Sequence, residues 1–261
     1  MIERKSTREI AKQAQAGMIV AETLALLADA AQPGVTTAEL DRIAERHIKR
    51  RGGVPTFKGY RGFPGSICSS PNDMIVHGIP GPYVLADGDI LSLDVGVTYR
   101  GFVGDSAVTV PVGAVAADTL RLLAVCQESL RRMVEQCVVG NRLLDLGHAC
   151  QAYVEGEGFG VVRQLVGHGV GRRMHEDPQI PNFGPPGRGP ELQEGMVFAI
   201  EPMITAGEHD IRLDPDGWSI FTSDGSMAAH FEHTVAITAD GPQILTLGPD
   251  GTSVVYRPIS N

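Results

Sequence analysis

Asp94, Asp105, His168, Glu201 and Glu232 are the residues whose types and surroundings could do chemistry together. Four of them sit in apolar or Gly-rich runs: LSLDVGV, GFVGDSAVTV, LVGHGVG and VFAIEPM. The fifth lies in HFEHTVAIT. A carboxylate in a buried strand is costly unless it is paired, protonated or bound to a cation. Asp94 and Asp105 flank a turn at 100–101, so two antiparallel strands would bring them onto one face. Carboxylates that close repel one another, and a divalent ion removes the repulsion. Four carboxylates and an imidazole form a hard, oxygen-rich donor set able to hold two first-row ions such as Mn(II), Fe(II), Co(II) or Zn(II). Such a pair activates water for hydrolysis.

Each residue alone has an ordinary explanation. Asp94 and Asp105 could be turn formers, His168 a loop histidine, Glu201 a strand-end charge before Pro202, and Glu232 a charge on an exposed edge strand. Those explanations would have to hold five times, inside apolar windows, so the shared cation site is the better reading. His77 and His175 lie outside the donor set and could donate hydrogen bonds to a substrate or an oxyanion. His47, His148, His209, His230 and His233 give no comparable case, and Asp89, Glu176 and Asp177 read as capping or surface charges.

The elements that must position these side chains are legible in outline. Ser6 and Glu9 form a capping box for a helix running to about Ala31, and Thr36 and Glu39 form another for a helix ending at Lys49, Arg50 and Arg51. Residues 54–82 are rich in Gly, Pro and Ser, with a weak strand at Ser66 to Ser69. Strands follow at Ile90 to Tyr99 and Phe102 to Val112, joined by a tight turn at Arg100-Gly101. The order then recurs: helices at Asp118 to Val138 and Leu143 to Glu157, and a strand near Val161 to Val166. An irregular loop at 181–190 precedes strands at Met196 to Thr205, Trp218 to Thr222 and Ala228 to Thr238. LADGDILSLD, ending at Asp94, matches LQEGMVFAIE, ending at Glu201, at a shift of 107 residues. A duplicated helix-helix-strand-strand unit predicts a pseudo-two-fold α/β domain, with carboxylates from both halves meeting near its axis.

Bulk properties set the class. The 261 residues are 43% hydrophobic and 20% charged, ordinary for a globular chain. The net charge of −9 argues against a polyanion binder. No apolar run approaches a membrane span, and the charged N-terminus lacks the pattern of a signal peptide. Cys68, Cys126, Cys137 and Cys150 have no metal-finger spacing and read as free thiols of a reducing cytoplasm.

The segments NDMIVHGIP (72–80), GDILSLDVG (88–96), GFVGDSA (101–107), GHGVGRRMHEDP (167–178), GMVFAIEP (195–202) and FEHTVAIT (231–238) together resemble the type I methionine aminopeptidases. The resemblance implies the pita-bread fold, two pseudo-symmetric α/β halves around a dinuclear metal site, in one catalytic domain over 1–261. It implies Asp94 on one metal, Asp105 and Glu232 bridging, and His168 and Glu201 on the second, with Glu201 also the general base. His77 and His175 would contact substrate, and Tyr60, Phe63, Cys68 and Trp218 would line the methionine pocket. A metal-bound hydroxide would attack the first peptide bond of chains that start with Met and continue with a small residue. The implied cofactors are two divalent ions (Co, Mn, Fe or Zn). The implied partners are nascent N-termini and, transiently, the ribosome, for a cytoplasmic monomer that binds neither membrane nor specific nucleic acid.

Phe57, Arg61 and Met174 stand where a cysteine, a histidine and an aromatic residue are common, which bears on pocket shape and substrate range. No N-terminal zinc-finger extension or long type II insertion is seen. An X-Pro peptidase of the same fold would carry a further domain before the first ligand, for which there is no room. A non-catalytic ribosome-binding relative would be expected to have lost ligands.

Overall fold

The computed structural model describes residues 2–259. Helix α1 (Thr7–Ala30) starts at Ser6, whose backbone N–H and hydroxyl both donate to Glu9 Oε2, at 2.9 and 2.8 Å. Its buried positions Ile10, Gln13, Gly17, Val20, Leu24 and Leu27 recur every three or four residues and make one stripe. That stripe lies on a ten-pair antiparallel hairpin, Ile90–Tyr99 with Phe102–Pro111. The hairpin turn is made by Arg100 and Gly101, both at positive φ, which matches the twist of the strands. Helix and strand touch at glycines: a Cβ on Gly104 would sit 2.6 Å from Gly17 N. Helix α2 (Thr37–Arg50) is capped by Thr36 and Glu39, ends in His47, Lys49 and Arg50, and buries Leu40, Ala44 and Ile48.

The second half repeats this plan, with α3 (Ala117–Glu135) and α4 (Leu143–Gly156) over a five-stranded antiparallel sheet. The sheet order is Gly241–Ile244, His233–Thr238, Val197–Ile200, Gly167–Gly169 and Glu176–Ile180. The repeat extends to individual hydrogen bonds. Gly34 N–H donates to Leu85 O and Gly140 N–H to Leu192 O; Leu85 N–H donates to Val35 O and Leu192 N–H to Asn141 O. Thr36 bridges Val84 as Arg142 bridges Glu191. Gly88 and Gly195, at matching positions, both have positive φ.

The halves are sewn together along the Phe102–Pro111 strand. Glu232 N–H donates to Ala107 O at 2.9 Å, Ser106 Oγ donates to Glu232 O, and Thr234 Oγ1 bonds both the N–H and the carbonyl of Asp105. One hydrophobic core runs through both halves, from Ile19 to Val255.

Several strand boundaries differ from those the sequence predicts. Met196 to Thr205 is two strands, Val197–Ile200 and Met203–Thr205, separated at Glu201-Pro202, where proline offers no N–H to a ladder. Ala228 to Thr238 likewise splits into Ala228–His230 and His233–Thr238, because the Glu232 N–H is taken by Ala107 of the other half. The expected strand at 161–166 is only Gly160–Val161, and Gly167–Gly169 forms a separate one. The weak strand lies at Cys68–Pro71 and pairs with Ile90–Tyr99; Trp218 precedes its strand, which starts at Ile220. No helix is long and apolar enough to cross a membrane.

Candidate metal centre and substrate cavity

Each predicted donor is delivered by a different local device. Asp94 and Asp105 belong to the first hairpin, where Asp94 pairs with Ala107 and Asp105 with Gly96. The two aspartates are therefore diagonal neighbours on one face. His168 sits in the short interior strand Gly167–Gly169, at a register shift. Its flanking glycines permit the tight packing there, since a Cβ on Gly169 would lie 2.1 Å from Asp177 O. Glu201 and Glu232 occupy the two strand breaks, where side chains leave the alternation of the sheet and turn inward.

These five converge. One donor atom from each of Asp105, His168 and Glu232 lies within 4.8 Å of the others. His168 Nε2 is 3.7 Å from Asp105 Oδ2 and 3.5 Å from Glu201 Oε1. Burial, then repulsion from Asp105, pushes the Asp94 carboxyl well above the usual range. Burial, then Glu201, does the same to Asp105; burial, then Asp105, does it to Glu232. Burial pushes Glu201 up to about 8. Asp94 Oδ1, Asp105 Oδ1 and Glu232 Oε1 are buried with no hydrogen-bond partner among the described residues. Unpartnered carboxylate oxygens lining one cavity fit a divalent cation, which would favour their ionised form.

The imidazole is set for the same purpose. His168 Nδ1 lies 2.9 Å from Gly169 O, and a carbonyl can only accept. Nδ1 therefore carries the proton and Nε2 presents its lone pair to the carboxylates. Burial pulls the ring down to about 4, so it is neutral near pH 7.

Above the carboxylates is a cavity of about 180 Å³. It is lined by all the predicted site residues, including Tyr60, Phe63, Cys68, His77, His175 and Trp218, and by Phe57, Arg61 and Met174. Phe63 meets Trp218 edge-on at 5.1 Å, and His77 meets the same indole at 6.5 Å. Cys68 pairs across the sheet with Asp94, and burial holds its thiol protonated, a soft neutral wall. His77 has φ +62, a strained backbone for a non-glycine residue. His175 stacks on Tyr60, whose hydroxyl lies 2.8 Å from its Nδ1. Burial lowers the pKa of both histidines, His77 to about 4, so both are neutral hydrogen-bonding groups.

Four residues read as bland in the sequence are buried in the structure. His230 is 2% exposed and has its Nε2 3.6 Å from Glu201 Oε2. Its spacing of two from Glu232 was a usable signal, since alternate strand residues share a face. Glu176 is no surface charge but half of a buried ion pair with Lys5, at 2.6 Å. Asp89 does cap, accepting from Ala86 N–H, but it is buried and also bonded by Asn72 and Tyr83. His233, beside Glu232, is on an interior strand and fully buried against Thr246 and Tyr256, not on an exposed edge.

The profile of Metallopeptidase family M24 matches residues 11–239. Methionine aminopeptidase from Clostridium acetobutylicum is 52% identical over 248 residues, covering 95% of this chain and 99% of that protein. The crystal structure of methionine aminopeptidase from Thermotoga maritima superposes with a TM-score of 0.93 at 44% identity, covering 94% of this chain and 99% of the other. An Xaa-Pro dipeptidase from Bacillus anthracis shares the fold, with a TM-score of 0.75 at 20% identity, but this chain covers only 62% of it. The two α/β halves are thus the pita-bread fold, and the chain belongs to the methionine aminopeptidases of metallopeptidase family M24.

Proposed function

We propose that this chain, as a single catalytic domain, hydrolyses the first peptide bond of polypeptides that begin with methionine, preferring a small second residue. The observation that carries the reading is five donors lining one cavity, three of them with a buried unpartnered carboxylate oxygen, in a chain that a methionine aminopeptidase matches over 95% of its length. Asp94, Asp105, His168, Glu201 and Glu232 would hold two divalent ions, Co, Mn, Fe or Zn. When bound, the ions supply Lewis acidity, lowering the pKa of a water and polarising the scissile carbonyl.

The chain's own groups do the rest. Glu201 is the base: it takes a proton from the attacking water and returns it to the leaving amine. Neutral His77 and His175 donate hydrogen bonds to the substrate amide and to the developing oxyanion without adding charge. Phe57, Phe63, Cys68, Met174 and Trp218 exclude water and receive the methionine side chain, an apolar and polarisable guest. The substrates are nascent N-termini in the cytoplasm, met during transient contact with the ribosome, with no membrane or specific nucleic acid involved; the enzyme acts as a monomer.

The test is methionine release from Met-Ala-Ser by metal-stripped protein titrated with Mn(II), Co(II), Fe(II) and Zn(II), beside an Ala-Pro peptide. Metal-dependent release from the first alone is expected. Asp105→Asn should lose most bound metal and at least about 100-fold in kcat while keeping its fold by circular dichroism. Full turnover by that variant would sink the two-metal reading.

A further inference from the structure

We propose that His230 is a positioning residue for Glu201, donating its Nε2–H to Glu201 Oε2 and thereby fixing which carboxylate oxygen faces the reacting water. The inference rests on the peptidase reading above and adds a residue to it. His230 is 2% exposed, and neither ring nitrogen has a hydrogen-bond partner among the described residues. An imidazole so buried is costly unless its polar atoms are used. The closest carboxylate contact of its ring is Glu201 Oε2, 3.6 Å from Nε2, and Asp94 acts on it through charge. Closing to hydrogen-bond length takes a shift of about 0.4–0.9 Å.

Tautomers assign the role. Glu201 lies between two imidazoles, with Oε1 3.5 Å from His168 Nε2 and Oε2 facing His230. His168 has committed its proton to Gly169 O, so it cannot donate to Glu201. His230 is then the imidazole left to anchor that carboxylate.

The backbone beneath the ring is held firmly. His230 N–H donates to Thr109 Oγ1 at 2.9 Å, and Thr109 Oγ1 donates to His230 O at 2.8 Å. Thr109 Oγ1 in turn pairs with Ser92 Oγ at 2.7 Å, inside the first hairpin. The first half of the molecule thus sets the height of a ring that orients the base supplied by the second half.

The experiment compares wild type, His230→Leu and His230→Gln, all shown folded by thermal melting. It reads Mn(II) binding to stripped protein by calorimetry, and kcat and KM on Met-Ala-Ser. Loss of an outer partner weakens metal binding or turnover by about 10–100-fold. The leucine variant should show that loss in Mn(II) affinity and in kcat, with unchanged stoichiometry and KM within about 3-fold of wild type. The glutamine variant, which keeps an N–H donor, should recover most of both. The proposal is overturned by a leucine variant with unaltered affinity and kcat, by loss of a whole equivalent of metal in both variants, or by glutamine no better than leucine. If wild type itself releases no methionine, the peptidase reading fails, and the Mn(II) affinities still decide His230.

Discussion

At the scale of the residue, the site is governed by what burial does to charge. Without ions, burial alone holds Glu201 at about 8 against an ordinary 4.5. A carboxyl whose folded pKa is raised stabilises the fold fully below its unfolded pKa, and that contribution is lost as pH rises through the folded value. His77 and His168, held near 4 against 6.5, act in the opposite sense, and their contribution is complete above 6.5. From pH 6.5 to 8.5 the contribution of His77 and His168 no longer changes, while that of Glu201 is still being lost. The melting temperature of stripped protein should therefore fall across that window. With saturating Mn(II) the slope should flatten, because the ions keep the carboxylates ionised; a rise in the stripped protein would contradict the assignment. Asp94, Asp105, Glu201 and Glu232 were readable in the sequence because charge inside apolar runs demands a reason. His230 offered a weaker signal, its spacing of two from Glu232, with no buried charge of its own to demand a partner.

At the scale of the element, the segment carrying Met174 and His175 hangs from one buried ion pair. Glu176 Oε1 accepts from the N–H groups of Arg172 and Arg173 at 2.9 and 3.0 Å, while Oε2 binds Lys5 at 2.6 Å. Burial pushes the Glu176 carboxyl up, but the Lys5 bond and the backbone donors win and hold it below its ordinary value. Lys5→Met should leave that charge uncompensated and cost about 3–5 kcal/mol in urea unfolding. It should also lower kcat, by loosening His175. A variant as stable as wild type would show that the backbone donors suffice. Capping boxes and the Arg100-Gly101 turn were legible because they are local. The Lys5–Glu176 pair spans 171 residues, and nothing local marks it.

At the scale of the whole molecule, the first half gives Asp94 and Asp105 and the second gives His168, Glu201 and Glu232. Ions bound there would brace the seam as well as serve the reaction. At about 100 times the dissociation constant they should add roughly 2.7 kcal/mol, or about 5–10 °C in melting temperature for a chain of this size. Scanning calorimetry with Mn(II) and then with a chelator would show it, and an unchanged midpoint would mean that the donors do not span the halves as a metal site. The duplication behind this arrangement was visible in ten residues of sequence. Its depth was not, because matched backbone bonds such as Gly34 to Leu85 and Gly140 to Leu192 leave few side-chain traces.

The same seam makes the protein divisible. Gly113 and Ala114, exposed between the halves, are where a cut would separate two helix-pair-and-sheet fragments without severing either. Neither fragment would own the core, which runs through both, and neither would own enough donors to hold two ions. Expressed apart and mixed, they should reassociate best when Mn(II) is present, so that the cofactor acts as the clasp of a split enzyme and recovered peptidase activity reports their reunion.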